Sequence, residues 1–350
     1  MPQVFDERND EWAGEREVLR QELTQQEYES ARSTTLNAHY TSPTVIAAMY
    51  QALERFGFKG GRILEPACGI GHFIGLMPEQ MLRASTITGI DIDPLTARIA
   101  RALYPDADIR AQAFEQAKLA DGFYDLALSN VPFGDYTVHD PRWNRFKLPI
   151  HDYFFAAALE KVRPDGLLLF ITSRGTMDKL NSTLRELLSG RAEFLGAIRL
   201  PNDAFKRNAG TEVTTDIVML RKLRPGEPPI GHHWKATTDY INDLGQSMPL
   251  NEYFVAHPEM MLGRMRLSGS MYRENEPTLE SDGRDFVSGG MKMHEIRRFE
   301  IVCSSLAFLP QFNGNPFFLL RRHGAPNASK SLSFNAIVGL RPSAATAADS

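Results

Sequence analysis

Along the first two thirds of the chain, apolar residues switch between a helical period of about 3.6 and short continuous runs. After Ser42 and Pro43, read as N-cap and first helical residue, Val45, Ile46, Met49, Leu53 and Phe56 recur at helical spacing. Gly57, Gly60 and Gly61 end that run. Residues 62–65 (RILE) and 86–91 (TITGID) read as buried strands. Between them lies a glycine turn, PACGIGHF, leading into an apolar stretch. A helix is predicted over 94–104, stopped by Pro105, with third and fourth strands over 108–111 and 124–129. Farther on come a helix (152–162), a turn at Pro164-Asp165-Gly166, a buried strand (167–173) and another helix (178–188). The runs 194–200 and 213–220 are β-rich. The twelve residues between them are too few for a crossover helix, which predicts an antiparallel pair. The alternation predicts an α/β fold: a mostly parallel sheet with helices on both faces and a terminal antiparallel hairpin.

The pattern divides the chain into an acidic N-terminal helical segment (1–35), the α/β domain (36–224), a region opened by Pro225, Pro228 and Pro229 with only fragments of periodicity (225–280), and an irregular, poorly ordered tail (281–350). With 43% hydrophobic and 23% charged residues, composition excludes a wholly disordered chain and a disulfide scaffold. The net charge of −4 does not mark a nucleic-acid binder. Nine acids against four arginines in residues 1–32 account for it, however, and leave the rest close to neutral. No run approaches the roughly 18 apolar residues of a membrane span. The start, MPQVFDERNDEW, is acidic where a signal peptide is basic. Cys68 and Cys303 stand far apart and fit a reducing compartment with no metal cluster. A cytoplasmic protein with no membrane and no metal partner is the expectation.

Three motifs carry candidate chemistry. Glu65-Pro66-Ala67-Cys68-Gly69-Ile70-Gly71-His72-Phe73 joins a strand to a helix through a glycine turn, where backbone can approach a ligand. Position 74 is Ile, not the third glycine of a dinucleotide fingerprint, and no phosphate-loop lysine follows, so a ligand without pyrophosphate fits better. Asp91 closes the next strand about 20 residues beyond Gly71, where a ribose-binding acid is expected; Asp93 suits the cap of the following helix. Ser129-Asn130-Val131-Pro132-Phe133-Gly134 ends the fourth strand, at the sheet edge where ligands bind.

In this order the motifs resemble those of the S-adenosylmethionine-dependent adenine-N6 DNA methyltransferases, of the gamma type with cofactor motifs first. The matching pieces are Tyr40-Thr41-Ser42-Pro43, EPACGIG, GIDIDP and SNVPF, the last standing for Asn-Pro-Pro-Tyr/Phe. The resemblance covers residues 36 to 221, and the stretch from HDYFF to GTMDK is similar to methylases fused to helicases on mobile elements and phages. Two positions depart: Val131 replaces a proline, and Gln112-Ala113-Phe114 lacks the acid of the third motif.

The resemblance implies a class I methyltransferase (Rossmann-like) fold with a seven-stranded sheet, S-adenosyl-L-methionine as cofactor, and DNA as partner with its target adenine flipped out. It also implies a helicase module in longer relatives, and a partial target-recognition role for 225–280. Tyr40, Thr41, Glu65, Pro66, Ala67, Gly69 and Gly71 would line the methionine end of the cofactor. Asp91 would hold the ribose, and Ile92 and Phe114 would sandwich the cofactor adenine. Catalysis would fall to Asn130, Val131, Pro132 and Phe133: the Asn130 side chain and Val131 carbonyl as acceptors for the target amine, Phe133 as a stacking ring. Cys68 reads as a small packing residue.

The loop lacks the cysteine nucleophile that cytosine-C5 chemistry requires, and it has Asn rather than the Ser or Asp usual in cytosine-N4 enzymes. Protein glutamine and RNA adenine methyltransferases stay open, as does a truncated cofactor-binding remnant without activity. Arg142, Trp143, Arg145, Phe146 and Lys147 mix bases with aromatics in a way that could hold nucleic acid or be a plain surface loop. His151-Asp152-Tyr153-Phe154 is a second target-pocket candidate, or a helix start with core aromatics. His232-His233, with no third ligand at metal spacing, reads as solvent-exposed.

Overall fold

Glycine and proline positions set where many elements begin and stop. The computed structural model describes residues 2–35, 41–204, 213–269 and 275–281, all within one compact unit. The Tyr40 position and the tail from 282 onward lie outside the described residues. Two N-terminal helices, α1 (Ala13–Glu22) and α2 (Gln25–Thr35), precede α3 (Pro43–Arg55). Ser42 Oγ accepts from Val45 N at 3.3 Å, and Pro43 is the first residue of α3. Its buried stripe includes Val45, Ile46, Met49 and Leu53, and Gly57, with φ +81°, turns the chain away.

Seven strands follow: β1 (Arg62–Glu65), β2 (Thr86–Asp91), β3 (Asp108–Ala111), β4 (Tyr124–Asn130), β5 (Val162–Ser173), β6 (Ala192–Leu200) and β7 (Thr215–Lys222). They form one sheet in the order β3-β2-β1-β4-β5-β7-β6. All are parallel except β7, antiparallel to both neighbours. This is the class I methyltransferase sheet, with the antiparallel pair expected from the short 201–212 connection. The order reverses between β1 and β4. Right-handed crossovers running towards β3 and towards β5 therefore lie on opposite faces, and a crevice opens at the strand ends between them.

The helices fit that scheme with three differences from the periodicity. The apolar stretch after the glycine turn splits at Pro78 into α4 (His72–Gly75) and α5 (Glu79–Arg83). After α6 (Pro94–Leu103) and α7 (Ile150–Lys161), the helix expected over 178–188 is broken into α8 (Gly175–Asp178) and α9 (Thr183–Ser189). Asp178 turns inward to Arg199 Nη1 (2.7 Å), while Asn181 accepts from Thr183 N (2.9 Å) and restarts the helix. Strand β5 begins earlier than its apolar run because its first residues still pair with β4 across the irregularity at Asp165, whose φ is +63°. Helix α7 is buried from Ile150 through Leu159, as an all-round apolar helix must be.

The region after residue 224 contains two hairpins, β8 (Thr237–Ile241) with β9 (Ser247–Asn251), and β10 (Arg264–Gly269) with β11 (Glu276–Glu280), with α10 (Glu252–Ala256) between them. It packs on the α/β domain through side chains that join the same core, among them Met248, Leu250, Tyr253, Leu262 and Leu279, and through polar anchors. Trp234 stacks on Phe194 of β6 at 4.6 Å and 9°. Asn251 donates to the carbonyls of Met177 and Trp234 at 2.8 Å each. Buried Arg199 binds Asp178 and Asp216 at 2.7 Å, and Phe254 of α10 lies over its guanidinium at 4.3 Å. Leu262 N donates to Arg199 O at 3.0 Å, so backbone of edge strand β6 gains a partner.

Candidate active site

The ends of β1, β2 and β4 bring the three sequence motifs to the crevice where the strand order reverses. The glycine turn after β1 is tied to both neighbours: Cys68 N donates to Ile90 O (2.8 Å), and Ser129 Oγ donates to Ala67 O (3.3 Å). Gly69 has φ +54°, and a β-carbon there would meet nothing within 4 Å; the turn faces open space. Gly71, at φ +85°, is the opposite case. A side chain there would collide with the ring of Tyr104.

Asp91 closes β2 and leans over this turn. Its Oδ2 accepts from Gly69 N (2.8 Å) and its Oδ1 from Asp93 N (2.9 Å). Burial pushes its carboxyl up, and those two N–H groups work against the rise. Asp93 caps α6, accepting from Leu95 N at 3.1 Å. Glu65 is 3% exposed, and burial, then the nearby Asp91, push its carboxyl well above the ordinary range. Cys68 is buried and its thiol is pushed up by the same burial, which agrees with a packing role.

Asn130 ends β4, and its Nδ2 donates to Thr41 Oγ1 at 3.1 Å. Thr41, the residue before the α3 N-cap, is itself buried. Val131 N donates to Ile171 O of β5 (3.1 Å), which fixes the peptide that follows Asn130. Pro132 is partly buried, and Phe133 is a core side chain at 8% exposure. The structure thus places Thr41, Glu65, Pro66, Ala67, Gly69, Gly71, Asp91 and Asn130 around the ends of β1, β2 and β4, with Thr41, Glu65, Pro66 and Gly71 buried there. Ile92, next to Asp91, is 67% exposed. Phe114 is buried, with one face stacked on Phe154 at 5.2 Å.

Of the other candidates, some turn inward, while Arg142, Arg145 and Lys147 stay exposed. Trp143 is buried, Arg142 pairs with Asp121 (3.2 Å), and Arg145 lies over the ring of Phe146 at 4.6 Å. All four residues of His151-Asp152-Tyr153-Phe154 are buried. Asp152 binds Lys179 and Thr176, while burial, then the Lys179 charge, lower His151 to about 4. His232 is half-buried against His257 (4.7 Å) and Tyr253 (5.4 Å), rather than solvent-exposed; His233 is exposed. Among the described residues no group of His, Cys, Asp or Glu could hold a metal, and no helix is long and apolar enough to cross a membrane.

The acidic helix α2 docks on the N-terminal half of α6. Ser30 Oγ donates to Asp93 Oδ1 at 2.8 Å, and Glu27 pairs with Arg98 of α6. Its charges read as a solvated face, and only the half-buried Ser30 and the buried Tyr28 would have hinted at docking.

Residues 64–142, which span all three motifs, match a family model described as a methyltransferase domain. The cofactor of this fold class is S-adenosyl-L-methionine. The chain is 27% identical over 272 residues to the defense against restriction protein B of Escherichia phage P1, covering 76% of this chain but 11% of that protein. It is 23% identical over 200 residues to the rRNA N(6)-adenosine-methyltransferase metl-5 of Caenorhabditis elegans, covering 54% of this chain and 89% of the relative. Among solved structures it is similar to a class I S-adenosylmethionine-dependent methyltransferase from Listeria monocytogenes. That likeness has 20% identity, a TM-score of 0.49, and covers 65% of this chain and 79% of the other.

Proposed function

We propose that this chain transfers a methyl group from S-adenosyl-L-methionine to the N6 amine of an adenine flipped out of DNA, as part of restriction-modification or of DNA modification by a mobile element. The observation that carries the reading is the bond from Asn130 to Thr41, at the end of β4 beside the glycine turn. It holds the amide so that Nδ2 is engaged and Oδ1 is the acceptor end. The crevice suits the cofactor: an open cradle at Gly69, a fixed carboxylate at Asp91, and a buried carboxyl at Glu65 for a cationic methionine end.

When bound, the cofactor supplies an electrophilic methyl group on a sulfonium. The chain supplies the rest. The exocyclic amine of adenine is a poor nucleophile, because its lone pair is delocalised into the ring. Asn130 Oδ1 and the Val131 carbonyl accept from the two amine hydrogens, draw the nitrogen towards tetrahedral geometry and aim its lone pair. Val131 serves as well as a proline here, since the carbonyl does the work. The flipped base must leave the duplex first, and single-stranded adenine needs no extrusion.

The match to an rRNA adenosine methyltransferase favours RNA as the second reading, with the same amine chemistry. The chain spans only 11% of the phage relative, so a helicase module and a fuller recognition surface belong to the proposal as partners in longer relatives. Transfer of labelled methyl to unmethylated DNA and to rRNA, with calorimetry of cofactor binding alongside, tests the assignment. Label in DNA supports it, label in RNA alone supports the second reading, and binding without transfer marks a remnant.

A further inference from the structure

We propose that Tyr136, rather than the motif aromatic Phe133, is the ring on which the target base stacks; the inference rests on the adenine reading above. Phe133 holds the motif position but is 8% exposed and belongs to the continuous core. A ring so covered has little π-face to offer an incoming base. Three residues on, Tyr136 is 54% exposed. Its ring is seated on the loop itself. A β-carbon at Gly134 would fall 2.6 Å from Tyr136 Cε1 and 2.8 Å from Cδ1, so glycine is what lets the ring lie on this backbone.

The main chain that carries the ring is held. Tyr136 O accepts from Ile150 N at 2.8 Å, and Thr137 bridges Pro149. The aromatic is therefore presented from a held stretch of main chain six residues beyond Asn130, with little backbone entropy left to lose on stacking. Asp135, Tyr136 and Thr137 are exposed together, and the face of the Tyr136 ring turned away from Gly134 is a flat apolar surface that a base can cover.

The test uses the full chain, labelled cofactor, and unmethylated plasmid DNA in double-stranded and heat-denatured form. Tyr136→Leu is expected to lower kcat/KM by about 5- to 150-fold on both forms, the range for losing one base–aromatic stack. Cofactor affinity should be unchanged, and Tyr136→Phe should restore the wild-type rate. A Leu variant equal to wild type overturns the inference. So does a Phe variant as impaired as Leu, which would make the hydroxyl the working group. Loss on double-stranded DNA alone assigns Tyr136 to the duplex and also overturns it. If the wild-type chain methylates no adenine, the functional reading fails first, visibly and separately.

Discussion

Asn130 Nδ2 donates to Thr41 Oγ1 at 3.1 Å, joining two residues 89 positions apart in the sequence. The bond ties the segment before α3 to the end of β4 and orients the amide on which the proposed chemistry depends. Asn130→Ala is expected to lower methyl transfer by about 10²–10³-fold, with cofactor affinity nearly unchanged. Thr41→Val removes only the anchor and should cost about 2- to 12-fold. In the double variant the Thr41 effect should vanish, since no amide remains to be oriented. Independent, multiplicative losses would show that the two residues do not act together.

Asp91 serves the turn and the proposed ribose at once. Asp91→Ala should weaken S-adenosylmethionine binding by about 10- to 150-fold, the range for hydrogen bonds to a charged acceptor. Asp91→Asn keeps one acceptor for the Gly69 or Asp93 amide and should fall between. Calorimetric affinities for the three proteins check the order; equal values would reduce Asp91 to a brace for the turn.

Glu65 is raised by burial, first, and by Asp91. A cation placed beside it reverses part of that rise, so binding the cationic methionine end should release a proton. Affinity should then tighten as pH rises towards the ligand-free Glu65 value, and Glu65→Gln should abolish the dependence. Binding enthalpies measured at one pH in phosphate and in Tris read the proton directly. Identical enthalpies in the two buffers would mean that Glu65 does not titrate on binding.

His151 is held near 4 when folded, against 6.5 in the unfolded chain. The folded pKa is the lower one, so the unfolded state takes up the proton first as pH falls. The stability contribution is complete above about pH 6.5 and is lost progressively towards pH 4, on the order of 3 kcal/mol in all. Denaturation of wild type and His151→Gln across that window isolates the effect, because other groups cancel in the difference. A constant difference would show that His151 charges as readily in the fold as outside it.

Much of the sheet was legible because its strands are continuous apolar runs closed by glycine, proline or a capping acid. Residues 62–65, 86–91 and 108–111 appear as read, and Ser42 and Asp93 cap the helices expected of them. The helix expected over 178–188 is broken after Asp178, the last residue of α8, whose carboxylate makes a buried pair with Arg199, a contact across the fold that no local pattern signals. Residues 225–281 show no sustained period because their strands and helix are each only five or six residues long, although Met248, Leu250, Tyr253, Phe254, Leu262 and Leu279 join the core. Asp91 and Asn130 stand at the ends of β2 and β4, where the sequence pattern places them. The burial of Phe133 and exposure of Tyr136 depend on how the loop folds over Gly134, which spacing does not encode.

The central claim is that the acceptors at Asn130 and Val131 act on the N6 amine of adenine in DNA. The most direct measurement incubates the chain with labelled S-adenosylmethionine and unmethylated genomic DNA, digests the product to nucleosides and identifies the labelled one by mass spectrometry. The account predicts N6-methyldeoxyadenosine, formed about 10²–10³-fold more slowly by the Asn130→Ala variant. Methylcytosine, or label recovered in protein rather than nucleic acid, would contradict it.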